Sequence, residues 1–300
     1  MLYNVKNNRL KFWREFDELG ERADFEFENS PCACGSVRSK LIANTTRHRN
    51  EFPIVQCLNC GTLRIDPYLT KDSINKYYSD TYGKIKRSDA PAEKLWKKQA
   101  KASKLVFSLV EPYVSKQSKI LDFGGATGGK MQELLVQGYD VSLKDLDEKY
   151  YDYGVSRGLK PFDAAVKYDF IILARVLEHM AEPVEFLREV GELLAPNGHI
   201  YVEVPLIENA RDNYLLNEFH IAHKFYFTGL SLGYVLRLAG FTPVHKSRNL
   251  FIVKKSDGLP KISWLYRKNM RRMGRQVINR AALTNLKFAL GFKPKDKSKN

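Results

Sequence analysis

From residue 119 to residue 254 the chain alternates between two hydrophobic patterns. Short apolar runs at 119–123 (KILDF), 139–143, 168–174 (YDFIILA) and 199–204 have the near-continuous hydrophobicity of strands buried on both faces. Between them, 130–137 (closed by Gly138), 148–157, 182–194 (stopped at Pro196-Asn-Gly) and 228–239 (closed by Gly240) follow the helical period. Residues 241–254 can form a closing hairpin. Strands that alternate with helices predict an α/β fold, a mainly parallel sheet covered on both faces, with an antiparallel pair at its end. Upstream, Leu95, Ala102, Leu105, Val106, Leu109 and Val110 recur near every 3.6 residues, which predicts one helix over 91–114 ending at Pro112.

Charge separates the remainder. The 300 residues carry a net +15, of which residues 254–300 supply +12, so the body is nearly neutral and the tail strongly basic. Apolar residues from Trp264 to Leu290 interleave with Arg267, Lys268, Arg271, Arg272, Arg275 and Arg280, and predict a basic amphipathic helix over 262–290. An anionic membrane surface or a lipid-linked carrier suits such a helix better than nucleic acid does; a merely solvated basic face is the plain alternative. The first ten residues lack the apolar core of a signal peptide, and no stretch approaches the ~18 apolar residues of a spanning helix. The expected location is cytoplasmic, with peripheral contact at the inner face of the membrane. Three regions result: 1–90, a lead-in and a cysteine module; 91–255, the α/β domain; and 256–300, the basic helix and tail.

All four cysteines lie in two close pairs, Cys32-x-Cys34 and Cys57-x-x-Cys60. In a cytosolic chain, four thiols so paired suit Zn²⁺ better than disulfides, and four thiolates fill a tetrahedral site, leaving no position for water. The metal is expected to be structural, with Gly35 and Gly61 freeing the backbone to turn behind each pair. Four free thiols in an ordinary small domain is the plainer reading.

The turn Ile120-Leu-Asp-Phe-Gly-Gly-Ala-Thr-Gly-Gly129 joins a strand to a helix, where glycines admit a ligand to the backbone and the helix start offers free N–H groups. Its spacing fits a dinucleotide or S-adenosylmethionine (SAM), with Ala126 at a place usually held by glycine. Asp122 separates them: a carboxylate repels a pyrophosphate and attracts the ammonium of SAM. Asp145, at the end of the next strand, suits a ribose diol.

Three segments, 121–129, 141–147 and 168–183 (YDFIILARVLEHMAEP), together resemble a class I SAM-dependent methyltransferase with a Rossmann-like sheet. The resemblance implies a SAM pocket drawn from Asp122, Gly124, Gly125, Ala126, Gly128, Asp145, Leu146, Ala174 and Glu178. Phe219-His-Ile-Ala-His-Lys-Phe-Tyr-Phe-Thr228 resembles the segment after the fifth strand. The cysteine pairs, followed by Asp66-Pro67 and by Tyr77, Tyr78 and Tyr82, resemble the leader of a subgroup that includes deoxysugar C-methyltransferases and methyltransferases of surface-polysaccharide clusters. That implies a sugar or glycan as acceptor.

Methyl transfer requires an aligned acceptor and removal of its proton. His223 is the first candidate base, followed by His179, with His220 and Tyr226 beside them; each has a plain alternative in packing or loop hydrogen bonding. Tyr77, Tyr78 and Tyr82 could cover SAM or a sugar ring, or simply pack. Two rival readings are an RNA methyltransferase gripping RNA through module and tail, although the module is not strongly basic, and a non-catalytic scaffold, which the intact Asp122, Gly124, Gly128 and Asp145 oppose.

Overall fold

The computed structural model describes residues 25–43, 53–76, 91–209 and 219–256, together with 268–270, 272 and 276. The chain separates into two compact units. One comprises Met1–Ile85, Pro205–Leu232 and Ile262–Asn300; the other, Lys86–Val204 and Gly233–Lys261. The segment that carries His220, His223 and Tyr226 therefore belongs with the cysteine module, a grouping that linear boundaries at 90 and 255 do not contain.

In the first unit, β1 (Phe27–Glu28) pairs with β5 (Tyr68–Leu69). β2 (Ser39–Ala43), β3 (Ile54–Cys57), β4 (Leu63–Ile65) and β11 (Phe225–Tyr226) form an antiparallel sheet in the order β11-β4-β3-β2. A short helix, α1 (Lys71–Lys76), follows β5. Ile54, Leu63, Ile65, Tyr68, Phe219, Ile221 and Tyr226 share one buried cluster, so the two sequence-distant pieces have a common core. The Tyr68 hydroxyl donates to the Ile221 carbonyl at 2.9 Å, and Arg64, buried on β4, pairs with Asp66 at 2.6 Å.

The second unit holds a seven-stranded sheet: β6 (Lys119–Phe123), β7 (Asp140–Lys144), β8 (Lys160–Pro161), β9 (Tyr168–Ala174), β10 (Leu194–Glu203), β12 (Phe241–Ser247) and β13 (Leu250–Lys255). Their order is β12-β13-β10-β9-β6-β7-β8, and only β13 among them runs opposite to the rest. The central strands contribute Ile120, Leu121, Phe170, Ile171, Ile172, Leu173 and Val202, all fully buried, as their unbroken hydrophobicity requires. The helices are α2 (Ala92–Ala100), α3 (Ser103–Val110), α4 (Gln132–Val136), α5 (Glu148–Ser156) and α6 (Pro183–Glu192); α7 (Gly229–Leu238) spans the boundary between the two units. α5 starts at Asp147, whose side chain accepts from the Tyr150 N–H, and α6 starts with Pro183, whose fixed φ suits a first turn.

Two expectations are corrected. The helix over 91–114 is broken at Lys101–Ala102, so α2 lies against the glycine turn and α3 against α4. Leu105 is consequently 64% exposed, and Trp96, absent from the periodic set, is buried in its place. α6 ends at Glu192 rather than 194, because Leu194 already pairs with Tyr168 and the residue before Pro196 disfavours helix. Of the expected basic helix, residues 268–270, 272 and 276 are helical; the remainder, with the lead-in over 1–24 and Tyr77, Tyr78 and Tyr82, lies outside the described residues. No helix among the described residues is long and apolar enough to cross a membrane.

Candidate functional site

In the second unit, the carboxyl ends of β6, β7, β9 and β10 converge on a cluster of charged groups. Asp122 ends the buried part of β6 and is 1% exposed, and neither carboxylate oxygen has a hydrogen-bond partner among the described residues. Burial pushes its pKa up to about 7; Lys130 pulls it down in part and Asp145 adds to the rise. A buried carboxylate without partners is costly unless something satisfies it. Gly125 stands directly over it: a Cβ there would fall 2.1 Å from Asp122 Oδ2.

The turn above Asp122 has three left-handed residues, Gly124 (φ 74°), Ala126 (φ 53°) and Gly128 (φ 72°). Ala126 pays the Cβ cost of that conformation, about 1–2 kcal/mol. Asp145 opposes the strain: its Oδ2 accepts the Ala126 N–H at 2.6 Å and its Oδ1 accepts the Asp147 N–H at 2.9 Å. Burial raises the Asp145 pKa despite these bonds. Each oxygen keeps a further lone pair for a ribose hydroxyl. Beside it, Leu146 is 92% exposed, an apolar surface at the strand end. Ala174 closes β9, half-buried. Glu178 lies in a single helical turn just beyond it, buried, its pKa pushed up to about 7 chiefly by burial.

Several members of this cluster escaped the sequence reading. Glu203, at the end of β10, accepts from Lys130 Nζ (3.2 Å), Arg175 Nε (3.2 Å) and the Tyr201 hydroxyl (3.0 Å). Burial pushes Glu203 up, but Lys130 and Arg175 outweigh it and hold the group below the ordinary glutamate value. Burial, then Glu203, raises the Tyr201 phenol. Gln99 of α2 bonds the glycine turn from behind. An acid ending a strand, like Glu203, carried a usable signal; Gln99 carried none.

The turn tolerates little change. A Cβ on Gly129 would lie 2.5 Å from the Trp96 carbonyl oxygen and 3.0 Å from Gln99 Cβ. Gly129→Ala is expected to cost about 2 kcal/mol and lower the melting temperature by about 5 °C, as followed by thermal unfolding.

In the first unit, the four cysteine sulfurs all lie within 4.8 Å of one another. Cys32 and Cys60 are 3.5 Å apart and Cys34 and Cys57 3.6 Å, too long for disulfides. They approach the ~3.8 Å edge of a tetrahedron with Zn–S bonds near 2.3 Å. The Asn59 and Cys60 N–H groups point at Cys57 Sγ (3.4 and 3.5 Å), and Asn59 Nδ2 at Cys34 Sγ (3.5 Å). Gly35 and Gly61 take φ near +79° and +77° behind the pairs. Donation from Cys32, then Cys34 and Cys60, holds the Cys57 thiol well below its ordinary value. The donor set and its spacing fit a zinc ion: Cys32, Cys34, Cys57 and Cys60 would hold it.

The expected bases divide between the units. His179 follows Glu178 in the second unit, half-buried, with its N–H on the Val176 carbonyl at 3.0 Å. His220 and His223 lie against each other in the first unit, with ring centroids 3.8 Å apart and the rings tilted by 47°. The Tyr226 hydroxyl donates to the His220 carbonyl (2.9 Å) and accepts the His220 N–H (3.0 Å), so it braces the histidine turn.

The family described as a methyltransferase domain matches residues 94–246. A ubiquinone biosynthesis O-methyltransferase from a Caulobacter strain is 32% identical over 100 residues, 28% of this chain. The chain spans 39% of the length of that curated relative. Among solved structures, the 1,6-didemethyltoxoflavin-N1-methyltransferase of Burkholderia thailandensis is similar at 20% identity and a TM-score of 0.44, covering 67% of this chain and 98% of that one. The sugar N-methyltransferase KedS8 of a Streptoalloteichus species is similar at 14% identity and a TM-score of 0.43, covering 53% of this chain and 88% of that one.

Proposed function

Since the chain belongs to the methyltransferase domain family through residues 94–246, we propose that it transfers the methyl group of SAM to a sugar, either nucleotide-linked or part of a surface polysaccharide. The observation that carries the SAM reading is Asp122, a buried carboxylate beneath a glycine turn with no hydrogen-bond partner among the described residues. The ammonium of SAM would satisfy it, Asp145 would take the ribose hydroxyls, and Leu146 and Ala174 would flank the adenine. When bound, SAM supplies a methyl on a sulfonium that is already a good leaving group.

The choice of a sugar rests on the leader, Cys32, Cys34, Cys57 and Cys60 followed by Asp66-Pro67, and on its link to the candidate bases. β4 of the cysteine module pairs with β11, two residues after His223. The zinc site therefore supports the turn that presents His220 and His223. The two rings lie 3.8 Å apart, and His223 would take the proton of an acceptor hydroxyl. Contact of the basic tail with an anionic membrane would bring the enzyme to a lipid-linked glycan.

A panel of nucleotide sugars and lipid-linked glycans, incubated with methyl-labelled SAM, tests the acceptor. Label in the sugar supports the reading; label only in a ubiquinone precursor, as the name of the Caulobacter relative would suggest, overturns it. His223→Ala is expected to reduce turnover at least about 100-fold while leaving the affinity for S-adenosylhomocysteine unchanged in calorimetry. Full activity would remove His223 as the base.

A further inference from the structure

Gln99 lies on α2, outside the strand–turn–helix that forms the glycine turn, yet its side chain makes three hydrogen bonds to that turn. Nε2 donates to the Gly125 carbonyl at 3.0 Å, and Oε1 accepts from Thr127 Oγ1 at 2.5 Å and from the Gly129 N–H at 3.1 Å. Thr127 is fully buried, and on its other side its carbonyl oxygen would sit 2.7 Å from a Cβ on Gly154 of α5. Trp96, one helical turn before Gln99, donates its indole N–H to Gln132 of α4 at 3.0 Å. The turn is thus gripped from behind by one amide, which holds the residue before Ala126, the residue after it and the start of the following helix.

We propose that Gln99 is a positioning residue for the methyl donor, acting through the turn; this rests on the SAM reading of the site. Ala126 holds a left-handed conformation that an alanine leaves when released, and a single bond from Asp145 fixes its N–H. Gln99 fixes the peptides on both sides. An amide is the side chain that can do so, because one end must donate to a carbonyl and the other must accept from a hydroxyl and an N–H. Without it the turn relaxes and the groups facing the donor lose their alignment.

The test is calorimetric titration of S-adenosylhomocysteine into the full chain and its Gln99 and Asp145 variants. Gln99→Ala is expected to weaken binding about tenfold, with faster hydrogen exchange at Gly129 and unchanged exchange across β9. Gln99→Glu keeps the accepting oxygen and loses the donor facing the Gly125 carbonyl, so its affinity should fall between wild type and Gln99→Ala. A brace that serves only stability would lower the melting temperature and leave the affinity of the folded protein within twofold of wild type; that result overturns the proposal. Should Gln99→Ala not fold, Gln99→Glu decides: wild-type affinity overturns the proposal and weakened affinity in a folded protein supports it. Wild-type binding that Asp145→Ala weakens and Gln99→Ala does not would remove Gln99 alone. Failure of the wild type to bind would remove the SAM reading, and Gln99's role with it.

Discussion

Asp122→Asn is expected to move stability and donor affinity in opposite directions. In the folded chain the carboxyl keeps its proton up to about 7, against an ordinary value of 3.8, because it is buried with no hydrogen-bond partner among the described residues. Between those values the native state binds a proton that the unfolded chain has released, so the stability due to this group falls as pH rises through the window. Above pH 7 the full cost is present, roughly 4 kcal/mol from about three pH units at 1.36 kcal/mol each. Asparagine is nearly isosteric and carries no charge. The variant should therefore melt higher than wild type at pH 8 and close to it at pH 4. Affinity should respond the other way. A charge-assisted hydrogen bond to an ammonium contributes about 1.5–3 kcal/mol, so the dissociation constant for S-adenosylhomocysteine should rise about 10- to 100-fold. Wild-type affinity should also weaken as pH falls below 7 and Asp122 becomes protonated, and the variant should show a flatter profile. Melts at pH 4 and 8 and calorimetry between pH 6 and 8 measure each part. Unchanged affinity in Asp122→Asn would exclude the carboxylate as the partner of the donor's ammonium.

The four-cysteine site is expected to hold a metal, and its removal to act on the other unit. Metal analysis should find one zinc per chain. Zinc in such sites contributes apparent binding energies of about 10–16 kcal/mol, comparable to the whole stability of a domain, so chelation or Cys57→Ser should unfold the cysteine module. Hydrogen exchange should then rise across β2, β3 and β4. Turnover should disappear with it, because β4 pairs with β11 and Tyr68 holds the Ile221 carbonyl within the histidine turn. Binding of S-adenosylhomocysteine, whose groups belong to the second unit, should stay within a few-fold of wild type. A fully active protein without zinc would show that the four sulfurs hold no structural ion.

The elements most legible in the sequence are those set by local pattern. Tyr168–Ala174 is a strand with the bounds its apolar run predicts, and Lys119–Phe123 likewise, because both are buried on two faces and need no partner to be identified. The closing hairpin and the glycine turn follow for similar reasons. The helix over 91–114 misled because periodicity records one continuous face, whereas α2 and α3 pack against different neighbours and turn between them. Ala126 stood out as a departure from a glycine pattern; its left-handed backbone became visible only with the Asp145 bond that holds it.

By itself, then, the chain's order of residues determined the central strands and most helices of the α/β unit, though not the break within 91–114 or the short β8, together with the carboxylate–glycine turn and the two thiol pairs, all consequences of contacts between near neighbours. Tertiary structure brought the two thiol pairs together as their pattern predicts, and it alone decided that the histidine turn joins the cysteine module, that Gln99 braces the glycine turn and that Glu203 gathers Lys130 and Arg175. Those groupings depend on hydrogen bonds and packing between segments from about 20 to over 150 residues apart, and the separation of such partners leaves no periodic trace along a chain.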